Sequence, residues 1–381
     1  MIVPAKPLYV PALRMKAGEL LGVRDLAPDI ANCIVPRMIV PPFEERDEGL
    51  QARLFTSDAL PDVSGLLSAH WMNRDVLLEA TYLLDEFGRD RMGHWFPKMF
   101  DMARKAQVRA IPLVALDDLH ADGIAAYKAA LSQEGVVRFG LVVSSGDLAD
   151  NEQIKRGVGM LDRLGLTPEQ CVIIADFHDA DFSQPDFVAP VIGGVLETLQ
   201  SLARWQQIIF QGTNYPEKNP AESGSYYVVP RNEWIAWRRA ISFDPQTADH
   251  MIFGDYAADC AKLVFGNSGA RAIRHYRYTT PDSWLVQRGL KSGVEDAVNM
   301  RSVCEEILAS GKFAGRTFST ADDYIFRTAK GASGPGNAKI WRAINTTHHI
   351  TRVVTDIGSI RSIRFDQKIV EPLSEQISLF A

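Results

Sequence analysis

From about residue 107 to residue 257 the chain alternates between two rhythms. Short, nearly uninterrupted apolar runs appear at RAIPLVALDD (109–118), VVRFGLVVSS (136–145), QCVIIADF (170–177), WQQIIFQGTN (205–214) and MIFGDYA (251–257). Between them lie longer runs with apolar positions three and four apart: ADGIAAYKAALSQEG (121–135), NEQIKRGVGMLDRLG (151–165), FVAPVIGGVLETLQSLA (187–203) and PRNEWIAWRRAI (230–241). A strand apolar on both faces is buried on both faces, and the 3.6-residue rhythm is that of a helix covering it. Upstream, LYVPALRMK (8–16), CIVPRMIVPP (33–42) and RDVLLEATYLL (74–84) read as three further strands, with a short helix after Gly18 and a longer one over GHWFPKMFDMARKA (93–106). The polar stretch from Phe43 to Val63 reads as a loop holding a short helix. Eight strands covered by crossover helices predict a closed (β/α)8 TIM-type barrel. An open doubly wound sheet normally has fewer strands and often a glycine-rich phosphate loop, and neither GxGxxG nor GxxxxGK occurs.

Beyond Gly289 the strands stop and helices follow: GVEDAVNMRSVCEEILASG (293–311), TADDYIFRTAKG (320–331) and AKIWRAINTTHHITRVVTDIG (338–358), the last two joined by the flexible-turn composition GASGPGN. The predicted organisation is a barrel with a closing hairpin over 1–289 and a C-terminal helical appendage over 290–381, packed on the barrel.

Composition narrows the functions. A length of 381 residues at 46% hydrophobic supports a large core, and a net charge of −6 does not supply the basic surface of a duplex-binding protein, so nucleic acid is an unlikely partner. Cys33, Cys171, Cys260 and Cys304 are far apart, show no metal-ligand spacing and read as reduced core thiols. No leader or membrane span is evident, which predicts a cytoplasmic protein.

In a barrel, chemistry sits at the C-terminal ends of the strands. There the sequence offers Arg14 and Lys16 after strand one, Glu79 in strand three, Asp176 after strand six and Asp255 with Tyr256 after strand eight. An acid inside an apolar strand costs several kcal/mol unless paired or solvated, so Glu79, Asp176 and Asp255 are the catalytic candidates, with Arg14, Lys16 and Arg138 as their expected partners. Asn214, Arg231, Glu233, Arg277, Tyr278, Trp284 and Arg288 join the substrate-binding candidates, because arginine forks and aromatic faces suit a polar ligand. The plainer alternative is that strand-end aspartates cap helices and that interior pairs are structural. ADFHDADF carries ligand-type residues but too few fixed histidines for a metal centre to be assigned, and no cofactor is indicated. His348 and His349 are adjacent on a helix and point apart, so burial with hydrogen bonds is their default. The stretch from Thr213 to Pro230 is long enough for a lid. Trp234 and Trp237 read as core. No Ser-His-Asp order, GxSxG or HExxH is present.

The segments YVPALRMKAGE, WMNRDVLLEATYL, RAIPLVAL, WQQIIFQGTNYPE, PRNEWIAW, FGDYA, RYTTPDSWLVQRG and THHI, in this order, resemble the Beta protein family of phages and bacteria over nearly the whole chain. The resemblance implies mobile and defence-associated gene neighbourhoods, and a shared pattern of Lys16, Glu19, Arg231, Glu233, Asp255, Tyr256, Arg277, Tyr278, Trp284, Arg288 and His349. This chain departs from that pattern with Glu79 in place of aspartate and Arg14 in place of lysine; both keep the charge. The expected function is recognition of an anionic or nucleotide-like small molecule in the barrel mouth, with hydrolase chemistry in phage-host conflict. The other expectation is a non-catalytic sensor that binds a phage protein or a partner effector encoded nearby.

Overall fold

The computed structural model describes residues 6–47, 60–148, 150–243, 251–262 and 273–365. Eight parallel strands close into a barrel: β1 (Tyr9–Arg14), β2 (Arg37–Ile39), β3 (Asp75–Glu79), β4 (Arg109–Ala115), β5 (Phe139–Ser144), β6 (Cys171–Asp176), β7 (Gln207–Gln211) and, after an inserted strand β8 (Tyr226–Pro230), β9 (Met251–Asp255), which pairs with β7 and β1. The predicted (β/α)8 barrel is therefore the fold.

Alternation along each strand sorts side chains to two sides of the wall. Val10, Leu77, Ile111, Val172, Ile174, Ile209 and Ile252 fill the lumen. Leu13, Leu78, Val143, Ile173, Phe210 and Phe253 face the surrounding helices. Each such residue contributes ~1.5–3 kcal/mol on burial. Gly254 is required in the lumen, because a Cβ there would stand 2.8 Å from the carbonyl oxygens of Phe210 and Val10.

Three element boundaries differ from the sequence pattern. β2 is only three residues long. The third strand stops at Glu79, and Thr81–Phe87 is a helix, so the continuous apolar run RDVLLEATYLL holds the end of one element and the start of another. The Thr213–Pro230 connection contains β8, which joins the hairpin β10 (His275–Thr279) and β11 (Ser283–Arg288) in a three-stranded antiparallel sheet of order β10-β11-β8. Most of the polar 43–63 stretch, residues 48–59, lies outside the described residues.

The hairpin shares its core with the helices that follow: Tyr276, Tyr278 and Leu285 pack against Met300, Val303 and Ile307 of helix Asp296–Ala309 and Ile325 of helix Thr320–Ala329. The last helix, Ala338–Ile360, buries Ile350, Val353, Val354 and Ile357 against the barrel wall. It crosses helix Ala17–Arg24 closely because Gly18 and Gly22 stand one turn apart; a Cβ on Gly22 would lie 2.7 Å from the Thr346 Cβ. Among the described residues no helix is long and apolar enough to cross a membrane.

Candidate functional site

Arg37, on β2, organises the barrel mouth. Its Nε donates to Glu79 at the tip of β3 (2.7 Å), and its Nη1 donates to Asp176 at the tip of β6 (2.7 Å). β2 and β6 lie on opposite sides of the eight-strand ring, so one guanidinium spans the lumen. The Tyr256 hydroxyl, just past β9, donates to both carboxylate oxygens of Asp176 at 2.9 Å. All four side chains are buried.

Electrostatics keep the cluster charged. Burial alone would push the Asp176 carboxyl up, but Arg37 and His178 outweigh it and hold it below its ordinary range. Burial and Asp176 push the Tyr256 phenol well up, so it acts as a neutral donor. His178 is exposed above the cluster with Nδ1 3.7 Å from Asp176; the acid raises the ring above its ordinary value, and burial opposes this only in part. Tyr82 completes this side, its phenol raised first by burial and then by Glu79, and lowered by Arg14 and Arg37.

A second cluster forms the rim. Asp259 accepts from Arg14 (2.8 Å), Arg277 (2.6 Å) and Arg342 (3.0 Å), and Arg342 also pairs with Glu19 (2.7 Å). Burial would raise Asp259, yet Arg277, Arg14 and Arg342 hold it well below the ordinary carboxylate range. Within this cluster three guanidiniums converge on Asp259. The turn that delivers Asp259 is strained: Ala257 and Ala258 have φ of +50° and +61°, where a Cβ-bearing residue is costly. Strand alternation has already sent Asp255 and Tyr256 to opposite sides of the wall, and the turn places Asp259 at the rim.

The candidate residues accordingly separate. Glu79, Asp176, Tyr256, Arg14 and Arg277 meet at the mouth, and Lys16 pairs with Glu45 nearby at 2.6 Å. Arg14 does not partner an interior acid as expected; Asp259 takes it. Arg138 is corrected outright: it precedes β5, and its Nε donates to the Ser132 carbonyl at the N-terminal end of the barrel, opposite the mouth. Asp255 does not converge with Glu79 and Asp176. Strand alternation turns it outward, where it accepts from Tyr9, from the Ala257 amide (2.8 Å) and from His349 Nε2 (2.9 Å). His349 Nδ1 faces the Thr279 hydroxyl (2.9 Å), and burial lowers the ring, so it stays neutral as an Nε2–H donor. His348 faces Asp322 (3.0 Å) and the Thr279 carbonyl (2.8 Å). The two histidines thus tie the last helix to β10 and do not converge on a common ligand.

Tyr278 donates to Asp322 (2.7 Å), Arg288 to the Ala221 carbonyl (2.8 Å), and Trp284 packs on Tyr215. Arg231 and Glu233 sit at the start of helix Asn232–Phe243, outside the barrel wall; the Asn214 amide donates to Glu233 (3.1 Å). Trp234 and Trp237 pack on Phe253 as core. Among the described residues no group of three or more His, Cys, Asp or Glu side chains is arranged to hold a metal ion.

Sequence reasoning passes over Arg37, Asp259 and Arg342. Arg37 carries a legible signal, a charge inside a β-branched run, which is the criterion that singles out Glu79. Asp259 and Arg342 carry none, since neither stands at a strand tip. A family model described as Beta protein matches residues 9–355. No curated protein matches the chain.

Proposed function

The chain belongs to the Beta protein family, and from that premise and the mouth geometry we propose that it binds an anionic or nucleotide-like small molecule there and hydrolyses it. The carrying observation is the Arg37–Glu79–Asp176–Tyr256 cluster spanning the lumen with His178 exposed above it. A barrel's catalytic groups gather at this end, and buried charges coupled to a raised histidine suit acid-base work. In this reading Asp176 raises and orients His178, water attacks the scissile centre while His178 delivers its proton to the departing oxygen, the water's proton passes to solvent, and the guanidiniums of the Arg14–Arg277–Arg342 rim face the anion. The setting is phage-host conflict, as the family resemblance implies.

A thermal-shift screen of the purified protein with nucleotides, cyclic nucleotides and sugar phosphates tests this. A ligand at 100 times its Kd stabilises by about 2.7 kcal/mol. The expected result is a shift that Arg342→Gln weakens, with turnover of the same compound that His178→Gln abolishes while the shift remains. No shift with any compound refutes the small-molecule reading.

One observation favours the second reading, a non-catalytic sensor or interaction subunit. β8 is the edge of its sheet and exposes Tyr226 (64%), Tyr227 (52%) and Val228 (38%) in succession. An open strand edge with consecutive exposed apolar side chains suits a protein partner that adds a strand.

A further inference from the structure

Outside the barrel wall, between helix Asn232–Phe243, the hairpin and the last helix, a group of buried polar atoms is left unsatisfied. Arg231 is completely buried, and its Nη1 reaches the Thr280 carbonyl (3.0 Å) and, at 3.5 Å, Asp356. Asp356 is already engaged by the Arg352 Nε at 3.0 Å. Arg231 Nε and Nη2, Glu233 Oε1 and Trp284 Nε1 have no partner among the described residues. Glu233 is also completely buried. Buried groups of this kind are almost always satisfied in folded proteins, and each orphan costs ~1–3 kcal/mol.

The chemistry of the orphans specifies what would satisfy them. Nε and Nη2 form the side-on edge of the guanidinium, two parallel donors spaced for two oxygens of one oxyanion. The Trp284 indole N–H, on a ring stacked on His349, is a third unpaired donor. Burial pushes the Glu233 carboxyl up to about 8, against the pull of Arg231, so at neutral pH it carries its proton and offers a fourth. Asp356, the carboxylate that reaches Arg231, is shared with Arg352, and Asp255 is occupied by Tyr9, Ala257 and His349. The assembly is thus rich in unpaired donors, on the edge of the guanidinium that Asp356 does not reach.

We propose that Arg231, Glu233 and Trp284 form an enclosed oxyanion site, separate from the barrel mouth, that takes a carboxylate or phosphate group side-on against the Arg231 guanidinium. The segment carrying Asn214 and Tyr215 runs beside it, so an anion here joins β7, the hairpin and the last helix.

The test is isothermal titration calorimetry on the full chain with inorganic phosphate and with acetate. Wild type and the mouth variant Arg342→Gln are expected to bind one equivalent of at least one probe with Kd below ~1 mM. Arg231→Lys, which keeps the charge but loses the fork, and Trp284→Phe, which keeps the ring but loses the N–H, are each expected to weaken binding at least ~10-fold. Should Arg231→Lys fail to fold, Trp284→Phe decides. No saturable binding of either probe overturns the proposal, as does binding lost in Arg342→Gln but unchanged in Trp284→Phe. The latter result would assign the anion to the mouth and leave the reading of that site intact.

Discussion

Replacing Arg37 by methionine keeps most of the side-chain volume and removes the charge that spans the lumen. In the native barrel the two carboxylates of Glu79 and Asp176 are each 2.7 Å from that guanidinium, and both are buried. Deleting the shared partner of a buried ion cluster leaves uncompensated charge, which costs ~3–5 kcal/mol. With an unfolding entropy of ~2.1 cal/mol/K per residue over 381 residues, this corresponds to a drop in Tm of about 4–6 °C. The pH dependence carries a sign. In the wild type the folded-state pKa of Asp176 lies below its unfolded value, so its stabilisation is present above about pH 4 and is lost as pH falls through the folded value. Without Arg37, burial dominates and the folded value moves above the unfolded one, so the variant is penalised most at neutral pH. The deficit measured by urea unfolding should therefore shrink between pH 7 and pH 4.5. The triple variant Arg37→Met, Glu79→Gln, Asp176→Asn removes all three charges and should recover at least half the loss. A deficit under ~1 kcal/mol at pH 7, or one that grows on acidification, would refute the account of Arg37 as the charge that holds the mouth together.

The remaining predictions concern other parts of the chain. Glu233 titrates at about 8 in the fold and near 4.3 when unfolded, so it favours folding below about pH 4 and its benefit is lost as pH rises towards 8; the stability of Glu233→Gln relative to wild type should climb by several kcal/mol from pH 4.5 to 8, and a pH-independent difference would refute this. Ala258→Gly relieves a left-handed backbone conformation and should stabilise by ~0.5–1 kcal/mol in the same urea assay. Gly22→Ala forces a methyl to within 2.7 Å of Thr346 and should destabilise by ~1–3 kcal/mol, with the near-UV signal of the last helix's contacts altered. All four cysteines are buried, with Cys33 pushed up to about 11 and Cys171 to about 12; fewer than one thiol per chain should react rapidly with Ellman's reagent at pH 8 before unfolding.

The barrel was legible in the residues alone. Runs such as QCVIIADF and WQQIIFQGTN are apolar on both faces, and only a strand with packed layers on both sides accommodates that, so strand number and order followed from local pattern. The sequence also located the strand-tip acids and the helical character of the segment after Gly289. Period-2 alternation was equally present in IFGDY, where Gly254 and Tyr256 share the lumenal face and Asp255 must take the other. Which charges meet follows from the folded arrangement. Arg37 reaches Asp176 across 139 positions of sequence, and Asp259 gathers Arg14, Arg277 and Arg342 from β1, β10 and the last helix. Such pairings depend on barrel closure and on where the C-terminal helix docks, and no local propensity encodes either. The same holds for β8, whose strand state comes from pairing with β11 and not from burial, and for the orphaned donors of Arg231 and Trp284, which become visible only once every neighbour has been placed.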